Sequence, residues 1–325
     1  MSKTRPADFS LLTPDAVLET VEAALALRLE PWTQPLPSYV NRVYGLRTEA
    51  GEALVAKFYR PGRWSEDALR EEQTFIRELA REEIPVVEPL ELKSGGTLGH
   101  CGAIAFALFP RRGGRPFEPS DDASWERIGS LLGRIHQVGM AADAPHRRDL
   151  HPDASMREDL DFLASGDFIP ESERAELAEL GDTIIDAIGP HFDRIAPIRL
   201  HGDFQRTNIL ERPDTGLLPI DFDDMVNGPA VQDVWLLLPD APERCTVEIE
   251  TLLRGYERFV PFDRATLPLI EPLRAMRMIH YLAWCARQFN DYGFQALRPD
   301  WGSEAFWRRE ISDLREQTDR LPAAD

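Results

Sequence analysis

The sequence predicts an α+β fold of two lobes: a small N-terminal lobe built on an antiparallel sheet, and a larger, mostly α-helical C-terminal lobe. Short runs rich in Val, Tyr and Leu are concentrated early in the chain, and helical periodicity dominates afterwards. Between them lies the Pro- and Gly-rich stretch 110–116 (PRRGGRP), which breaks regular structure. We therefore predict an N-lobe over 1–112 and a C-lobe over 113–325, each large enough to bury its own core.

The N-lobe is predicted to contain two helices and four strands. Thr13 can cap the first helix, and Pro14 suits its first turn. Gly51 marks the turn of a hairpin, and Pro85 ends the second helix. The predicted helices span 13–29 and 65–82, and the predicted strands span 39–46, 53–59, 86–92 and 101–109.

The C-lobe is predicted to be mostly helical, with three short strands. Apolar residues recur at helical spacing in four segments, namely 125–137, 171–188, 247–260 and 272–289. Three short apolar runs are each followed by polar residues, as expected for small strands that present loops. These runs are 198–200, 209–210 and 217–220.

Composition narrows the functional class. A formal net charge of -19 opposes approach to phosphate backbones and anionic lipid, so neither nucleic-acid nor membrane binding is expected. Three widely separated cysteines without a C-x-x-C pair argue against a disulfide framework or a zinc site, and fit a reducing compartment. The first ten residues lack the apolar core of a signal peptide, and the longest apolar run is too short to span a bilayer. A cytoplasmic location is expected.

The most informative segment is 200–224, LHGDFQRTNILERPDTGLLPIDFDD. It contains His-Gly-Asp at 201–203 and then, after four residues, Asn208, which is the H-x-D-x-x-x-x-N spacing of kinase catalytic loops. Thirteen residues after Asn208, Asp221 follows an apolar run at the position of a metal-binding D-F-G aspartate. Each residue alone fits a capping or solvated role, but together they predict a phosphotransferase with ATP as co-substrate.

The chemistry of phosphoryl transfer assigns roles to this set. Negative charge on the transferred group is neutralised by metal ions and positioned donors while a hydroxyl is aligned for attack. We therefore predict Asp203 as the catalytic base, and Asn208 and Asp221 as oxygen ligands of Mg²⁺ at the ATP phosphates, Asp221 counting also as catalytic. His201 is expected to brace the loop. The acidic residues at 223–224 fit metal, capping and structural roles equally.

A lysine in the second predicted strand is a further candidate residue of the nucleotide site. Only three of the 37 basic residues are lysines, so Lys57 in Val-Ala-Lys calls for an explanation. It corresponds in context to the V-A-I-K lysine that contacts the α and β phosphates. Glu72 on the following helix is predicted to orient it, with Glu71 as the alternative, and an exposed strand lysine is the competing interpretation of Lys57.

The hairpin around Lys57 lacks a G-x-G-x-x-G sequence. Segment 37–44 (PSYVNRVY) occupies the corresponding place. Backbone N–H groups and the Ser38 hydroxyl are predicted to contact phosphate oxygens there, and turn capping by Ser38 is the alternative.

These residues resemble the aminoglycoside phosphotransferase and choline kinase-like superfamily, and within it most closely a bacterial subfamily of stress response kinases. The matching segments cover nearly the whole chain and are SYVNRVY at 38–44, VAKFYRPGRW at 55–64, HGD with Asn208, DFDD, NGPAVQDVWLLL at 227–238 and IEPLRAMRMIHYLAW at 270–284. The resemblance implies a protein kinase-like fold and a cytoplasmic, monomeric, Mg²⁺-dependent serine/threonine protein kinase active in stress response. The roles above then fall on Ser38, Asp203, Asn208 and Asp221. Asp233 is implied to support the catalytic loop, with a helix N-cap as the alternative.

The chain departs from the family pattern inside the catalytic loop. Relatives commonly carry a histidine two residues after the aspartate and a glycine just before the asparagine, where this chain has Gln205 and Thr207. Glutamine donates a hydrogen bond but brings no positive charge. We expect transition-state stabilisation to be weaker or to depend on Arg206.

Three functions follow from these observations. The long matches to one subfamily favour a protein kinase that acts on Ser/Thr hydroxyls. A kinase of small hydroxyl compounds is the second, because the stretch 221–233 is short and holds no A-P-E activation segment. A catalytically weak nucleotide-binding regulator is the third, motivated by Gln205 and Thr207.

Overall fold

The computed structural model describes residues 7–291 and 293–322, and the parts of the predicted lobes at 1–6, 292 and 323–325 lie outside the described residues. Its strands are β1 (Gln34–Leu36), β2 (Arg42–Arg47), β3 (Ala53–Phe58), β4 (Gly99–Cys101), β5 (Ile104–Pro110), β6 (Arg115–Pro116), β7 (Ile198–Leu200), β8 (Ile209–Arg212), β9 (Gly216–Pro219) and β10 (Val226–Gly228). Its helices are α1 (Pro14–Leu25), α2 (Glu66–Arg81), α3 (Asp122–Gly139), α4 (Arg157–Ser165), α5 (Glu171–Phe192), α6 (Val231–Trp235), α7 (Thr246–Tyr256), α8 (Ile270–Arg287), α9 (Phe294–Leu297) and α10 (Glu304–Thr318).

The N-terminal part of the chain forms a five-stranded antiparallel sheet in the order β1-β2-β3-β5-β4. Lys57 lies on the central strand β3, opposite Val43 of β2 and Ala107 of β5. Its backbone is therefore held on both sides, which fixes where its side chain enters the space beneath the sheet. Helix α1 packs its buried Val17 and Val21 into the core of this sheet.

Helix α2 lies between the sheet and the helical part of the molecule. Ser65 caps it by accepting a hydrogen bond from the N–H of Ala68. Leu69 packs with residues of the sheet, whereas Phe75 and Leu79 belong to the large core of the helical part. The apolar stripe of α2 thus divides between two cores, so the position of this helix depends on both.

The catalytic segment is carried by two small sheets in the helical part. β7 pairs with β10 and leads into the His-Gly-Asp loop, while β8 and β9 form a hairpin that ends just before Asp221. β6, which follows the 111–114 linker, pairs with β8. The N–H of Ile220 donates to the carbonyl of Asn208 at 2.9 Å, which ties the two loops together.

Helices α3 and α7 approach each other closely because glycines face the contact. A Cβ on Gly129 would lie 1.9 Å from the carbonyl oxygen of Leu252, and one on Gly255 would lie 2.1 Å from that of Glu126. This close packing brings side chains of α3 and α7 together behind the catalytic loop.

Several predicted elements differ from the structure. The strand predicted over 86–92 is wrong: this segment is irregular, because Pro85 and Pro89 lack the N–H donors that a ladder needs. The first helix ends at Leu25 rather than at residue 29, since Ala26 adopts a left-handed conformation with φ of 54°. The strand predicted from residue 39 begins at Arg42, and the strand predicted over 101–109 is two strands, β4 and β5. The elements that were not predicted are β1, β6, β10, α4, α6, α9 and α10.

None of the helices in the described ranges combines the length and the apolar character needed to cross a bilayer.

Candidate active site

A cleft with a cavity volume of about 1360 Å³ lies between the sheet and the helical part. Ser38, Lys57, Glu72, Asp203 and Asp221 all line it. These residues are far apart in sequence, so the fold brings them to one space. Ser38 lies there in the exposed loop between β1 and β2.

Lys57 is surrounded by three carboxylates. Its Nζ lies 2.9 Å from Oδ1 of Asp221, 3.3 Å from Oδ1 of Asp223 and 3.8 Å from Oε1 of Glu72. Burial by itself would lower the pKa of Lys57, but the three carboxylates outweigh it and raise the pKa well above the ordinary value. The ammonium group therefore stays charged, and the competing interpretation as an exposed strand lysine is wrong because Lys57 is 8% exposed.

The two adjacent glutamates of α2 point in different directions. Glu72 faces Lys57 and accepts hydrogen bonds from Arg147 at 3.0 Å and from the Tyr59 hydroxyl at 3.3 Å. Burial raises the pKa of Glu72, even though the charges of Lys57 and Arg147 act in the opposite direction. Glu71 instead binds His146, with 2.7 Å between Oε1 and Nδ1. The geometry thus joins Glu72, and not Glu71, to Lys57.

The three acidic residues of the DFDD segment have different environments. Asp221 has a left-handed backbone with φ of 63°, and its side chain is 55% exposed to the cleft. Asp223 is buried and binds Arg63 and Asn41, and Asp224 binds the other terminal nitrogen of Arg63. Burial would raise the pKa of Asp223, but Arg63 and other nearby cations hold it far below its usual range. Of the roles open for 223–224, this geometry favours the structural one.

The two carboxylate oxygens of Asp203 are held from opposite sides. Oδ2 accepts from the side-chain amides of Gln205 at 2.9 Å and Asn208 at 3.0 Å. Oδ1 accepts from Nη2 of Arg277 on α8 at 3.0 Å. The Asn208 amide nitrogen also donates to the Asp203 carbonyl, so both of its hydrogens are used and its side-chain oxygen is the atom left to coordinate.

Asp233 holds the backbone of the catalytic loop in place. Its carboxylate accepts hydrogen bonds from the backbone N–H groups of His201 and Gly202, both at 2.9 Å, and lies 3.2 Å from Nε2 of His136. It is the third residue of α6 rather than its N-cap, so the alternative prediction is wrong. The Nδ1 atom of His136 faces the Tyr256 hydroxyl at 3.0 Å, which links the loop to α3 and α7.

The structure explains why the catalytic loop has a histidine at position 201 and a glycine at position 202. His201 is fully buried, donates from Nε2 to the Ile220 carbonyl at 3.0 Å, and packs on Phe222 with ring centroids 4.4 Å apart. The predicted bracing role is therefore confirmed. Gly202 has φ of 82°, and a Cβ there would lie 2.0 Å from the carbonyl oxygen of Asp224. Only glycine fits this backbone.

Of the two expectations for the loop, weaker transition-state stabilisation or dependence on Arg206, the structure contradicts the second. Arg206 does not reach Asp203, because its Nε donates to the Leu237 carbonyl at 2.9 Å and its guanidinium lies over Trp125. Burial in this place lowers the pKa of Arg206. The arginine beside Asp203 is Arg277, which lies 74 residues away along the chain.

Sequence reasoning also missed Arg63, Arg147 and Arg277. The first and third lie in segments that match the family, VAKFYRPGRW and IEPLRAMRMIHYLAW, yet nothing in their spacing assigns a partner. Arg147 lies in a segment without regular periodicity. Their partners are more than 70 residues away, and such contacts leave no signal in a single sequence.

Asp221 and Asn208 carry oxygen donors of the type that magnesium prefers, and Asp221 presents its carboxylate to the cleft. In the described part of the chain, no group of three or more His, Cys, Asp or Glu side chains is arranged to hold a metal ion alone. The available set is the cleft-facing carboxylate of Asp221 and the amide oxygen of Asn208. Magnesium is usually bound by one or two such groups together with substrate phosphates.

A small antiparallel sheet over a mostly helical part, with a lysine-carboxylate cleft between them, defines a phosphotransferase of the kinase-like fold. The chain belongs to the phosphotransferase enzyme family, whose model matches residues 32–270. It is 37% identical to stress response kinase A of Salmonella choleraesuis (strain SC-B67) over 311 residues, which cover 95% of this chain and 94% of that protein. It is also 37% identical, with the same coverage, to serine/threonine protein kinase RdoA of Salmonella typhimurium (strain LT2).

Among solved structures, it is similar to amicoumacin kinase in complex with AMP-PNP and Ca²⁺, with a TM-score of 0.75 and 18% identity over 97% of this chain and 96% of that one. The predicted superfamily and the predicted two-lobed α+β fold class are confirmed.

Proposed function

We propose that this chain is an ATP- and Mg²⁺-dependent serine/threonine protein kinase that takes part in a stress response. The observation that carries the proposal is the cleft itself, in which Lys57 contacts Asp221 while Asp203 presents its carboxylate nearby. Such a set can position phosphates on one side and activate a hydroxyl on the other.

The sheet side of the cleft has the character of a nucleotide site. Val43, Val55 and Phe109 line it from the sheet, and Leu210 and Ile220 line it from the β8-β9 hairpin. Two apolar layers of this kind suit a flat purine ring. The related fold of amicoumacin kinase was solved with the nucleotide analogue AMP-PNP and Ca²⁺, which supports the same use of the cleft here.

The phosphates would then lie beside Lys57, which Glu72 orients, and beneath the loop that carries Ser38. Asp221 and Asn208 would hold magnesium, which supplies charge neutralisation of the phosphates when bound. Lys57 contacts Asp221 at 2.9 Å, and its ammonium group has further hydrogens that can donate to a phosphate oxygen beside this carboxylate.

Asp203 would act as the base. The acceptor oxygen bonds to the γ-phosphorus, its proton passes to Asp203, and the bond between the γ-phosphorus and the bridging oxygen breaks to release ADP. Because Asp233 fixes the backbone of the loop and Gln205 and Asn208 fix Oδ2, the carboxylate is held for this transfer without further rearrangement.

Two acceptor classes have support. The names of the relatives at 37% identity favour a protein hydroxyl. A small hydroxyl compound is the second candidate, because amicoumacin kinase has the same fold and because the chain between Asp221 and Asp233 is only a short turn, β10 and the start of α6. No long segment there forms a groove for a protein.

Phosphoryl transfer with labelled ATP and Mg²⁺ tests the proposal. We expect label on the protein itself or on an added protein acceptor, and loss of this label in Asp203→Asn. Asp214→Asn is the matched control, since Asp214 lies on the exposed β8-β9 turn and pairs with Arg212. Label only on small hydroxyl compounds would favour the second candidate, and thermal stabilisation by nucleotide without any transfer would favour the weak regulator.

A further inference from the structure

Oδ1 is the oxygen of Asp203 that an acceptor hydroxyl can reach. The amides of Gln205 and Asn208 already occupy the side of Oδ2. Oδ1 carries one hydrogen bond, from Arg277, and a carboxylate oxygen can accept a second. An acceptor hydroxyl that donates to Oδ1 must therefore lie next to the Arg277 guanidinium, and any charge beside that hydroxyl meets a cation.

Arg277 lies on the face of α8 that lines the cleft. The face continues through His280, Tyr281 and Trp284, at the helical spacing of three and four residues, and carries no acidic side chain. The Arg277 side chain is 41% exposed, so its other donors are accessible from the cleft. The part of α8 that lines the cleft therefore contributes no carboxylate of its own, although the net charge of the chain is -19.

The neighbouring carboxylates are neutralised by other cations. Asp159 on α4 lies 2.8 Å from Nδ1 of His280, 3.2 Å from Arg148 and 2.7 Å from Arg287. Glu158 lies 3.1 Å from Arg148. The pKa of Asp159 is lowered despite its burial, because hydrogen bonding to His280 and these charges outweigh the burial. The negative charges of Glu158 and Asp159 are therefore compensated within this cluster. Arg277 is not part of it and pairs with Asp203.

The proposed transfer then creates a charge imbalance. When the acceptor proton reaches Asp203, the carboxylate loses its charge and Arg277 loses its counter-ion. A partly desolvated guanidinium without a partner is unfavourable, and an anionic group on the acceptor beside the hydroxyl would restore the pair.

We propose that Arg277 selects the acceptor, so that the site takes hydroxyl groups flanked by an anionic group, such as a serine or threonine beside acidic residues, and disfavours cationic acceptors. This inference rests on the proposed function of the same cleft. The planar guanidinium can bind a carboxylate or phosphate through two donors while it still contacts Oδ1 of Asp203.

Matched acceptors test the inference with the full-length chain, labelled ATP and Mg²⁺. Three peptides of equal length carry one serine flanked by Glu, by Gln or by Lys. A parallel series of small acceptors consists of glycerate, glycerol and choline. We expect kcat/KM to fall from anionic to neutral to cationic acceptors, by about tenfold or more between the extremes. Arg277→Gln should remove this order, Arg277→Lys should keep it, and Arg277→Glu should reverse it.

Arg274→Gln is the control, because Arg274 lies one turn earlier on α8 and pairs with Glu271 at 3.4 Å. It should leave the order unchanged. Thermal unfolding of each variant shows whether it is folded. Because the Arg277 side chain is partly exposed, we expect its substitution to leave the fold intact.

An Arg277→Gln variant that slows all acceptors equally and keeps the order would overturn the inference, as would a wild-type chain without any preference. If only the small acceptors are labelled and follow the order, the protein-kinase proposal fails while the role of Arg277 stands. If no acceptor is labelled, both fail.

Discussion

The guanidinium of Arg147 lies 3.0 Å from the carboxylate of Glu72, and both side chains are almost completely buried. Arg147 also donates to the carbonyl of Ala68 at 2.9 Å and to that of Asp223 at 2.8 Å. One side chain from the helical part therefore fixes both α2, which carries Glu72, and the segment that follows Asp221. The arrangement of Lys57, Glu72 and Asp221 depends on this residue.

Replacing Arg147 should destabilise the protein strongly. We expect Arg147→Met to lower the free energy of unfolding by about 3–5 kcal/mol, because it leaves the buried carboxyl group of Glu72 without this partner. Denaturant-induced unfolding measures the change. Arg70→Met is the control, since Arg70 lies on α2 like Glu72 but forms an exposed ion pair with Glu66. This substitution should change the free energy of unfolding by only about 0.5 kcal/mol. Equal effects of the two substitutions would contradict this prediction.

The buried carboxylate of Asp223 should stabilise the folded state by an amount that depends on pH. Its pKa in the folded state lies below the ordinary value, so its contribution is present above the unfolded pKa and is lost as the pH falls through the folded pKa. We expect Asp223→Asn to be about 3 kcal/mol less stable than wild type at pH 7, as for a broken buried ion pair. This difference should stay constant down to roughly pH 4 and narrow below it.

Unfolding measured between pH 7 and pH 3 for both proteins gives the comparison. A difference that instead grows as the pH falls would mean that Asp223 is not held ionised by Arg63 and Lys57.

A methyl group at Gly202 should not be tolerated. Gly202→Ala combines a positive φ with a contact of 2.0 Å to the Asp224 carbonyl, so the loop must move. We expect a loss of stability of more than about 3 kcal/mol and no measurable transfer. Gly51→Ala is the matched control: Gly51 has φ of 91° but open space around it, so only backbone strain of about 1 kcal/mol is expected. If both variants behave alike, the crowding at Gly202 is unimportant.

The sequence predicted those features that local chemistry determines. Apolar periodicity predicted both ends of α2 within one residue and both ends of α8 within two residues, since each helix buries one face. Asp203 and Asp221 line the same cleft because β7 and β9 end beside it, and a hydrogen bond holds Asn208 against Asp203. Where competing local signals were present, prediction failed: apolar residues at 86–92 suggested a strand that Pro85 and Pro89 prevent.

The arginines of the site could not be predicted because their roles depend on tertiary contacts alone. The sequence suggested Arg206 as the cation of the catalytic loop, since it is close to Asp203 along the chain. The backbone turn at 206–208 directs Arg206 towards Trp125 instead. Arg277 reaches Asp203 only because α8 packs beside the loop, a relationship that neither spacing nor composition encodes.

The amide of Gln205 should account for part of the catalytic rate. It donates to Oδ2 of Asp203 at 2.9 Å, where relatives commonly have a histidine, so it replaces a donor without replacing a charge. A hydrogen bond to a charged group contributes about 1.5–3 kcal/mol, so Gln205→Leu should lower kcat by about tenfold or more. The KM for ATP should remain unchanged, because Gln205 contacts Asp203 at Oδ2 and is not among the residues that line the cleft.

Steady-state kinetics at saturating Mg²⁺ measure this split, with Gln205→His as the companion variant that keeps a ring N–H donor. We expect the histidine variant to retain most of the activity that the leucine variant loses. If Gln205→Leu is as active as wild type, Asn208 alone holds Oδ2. If Gln205→His greatly exceeds wild type, the charge that Gln205 lacks matters more than its hydrogen bond, and Arg277 does not fully replace that charge.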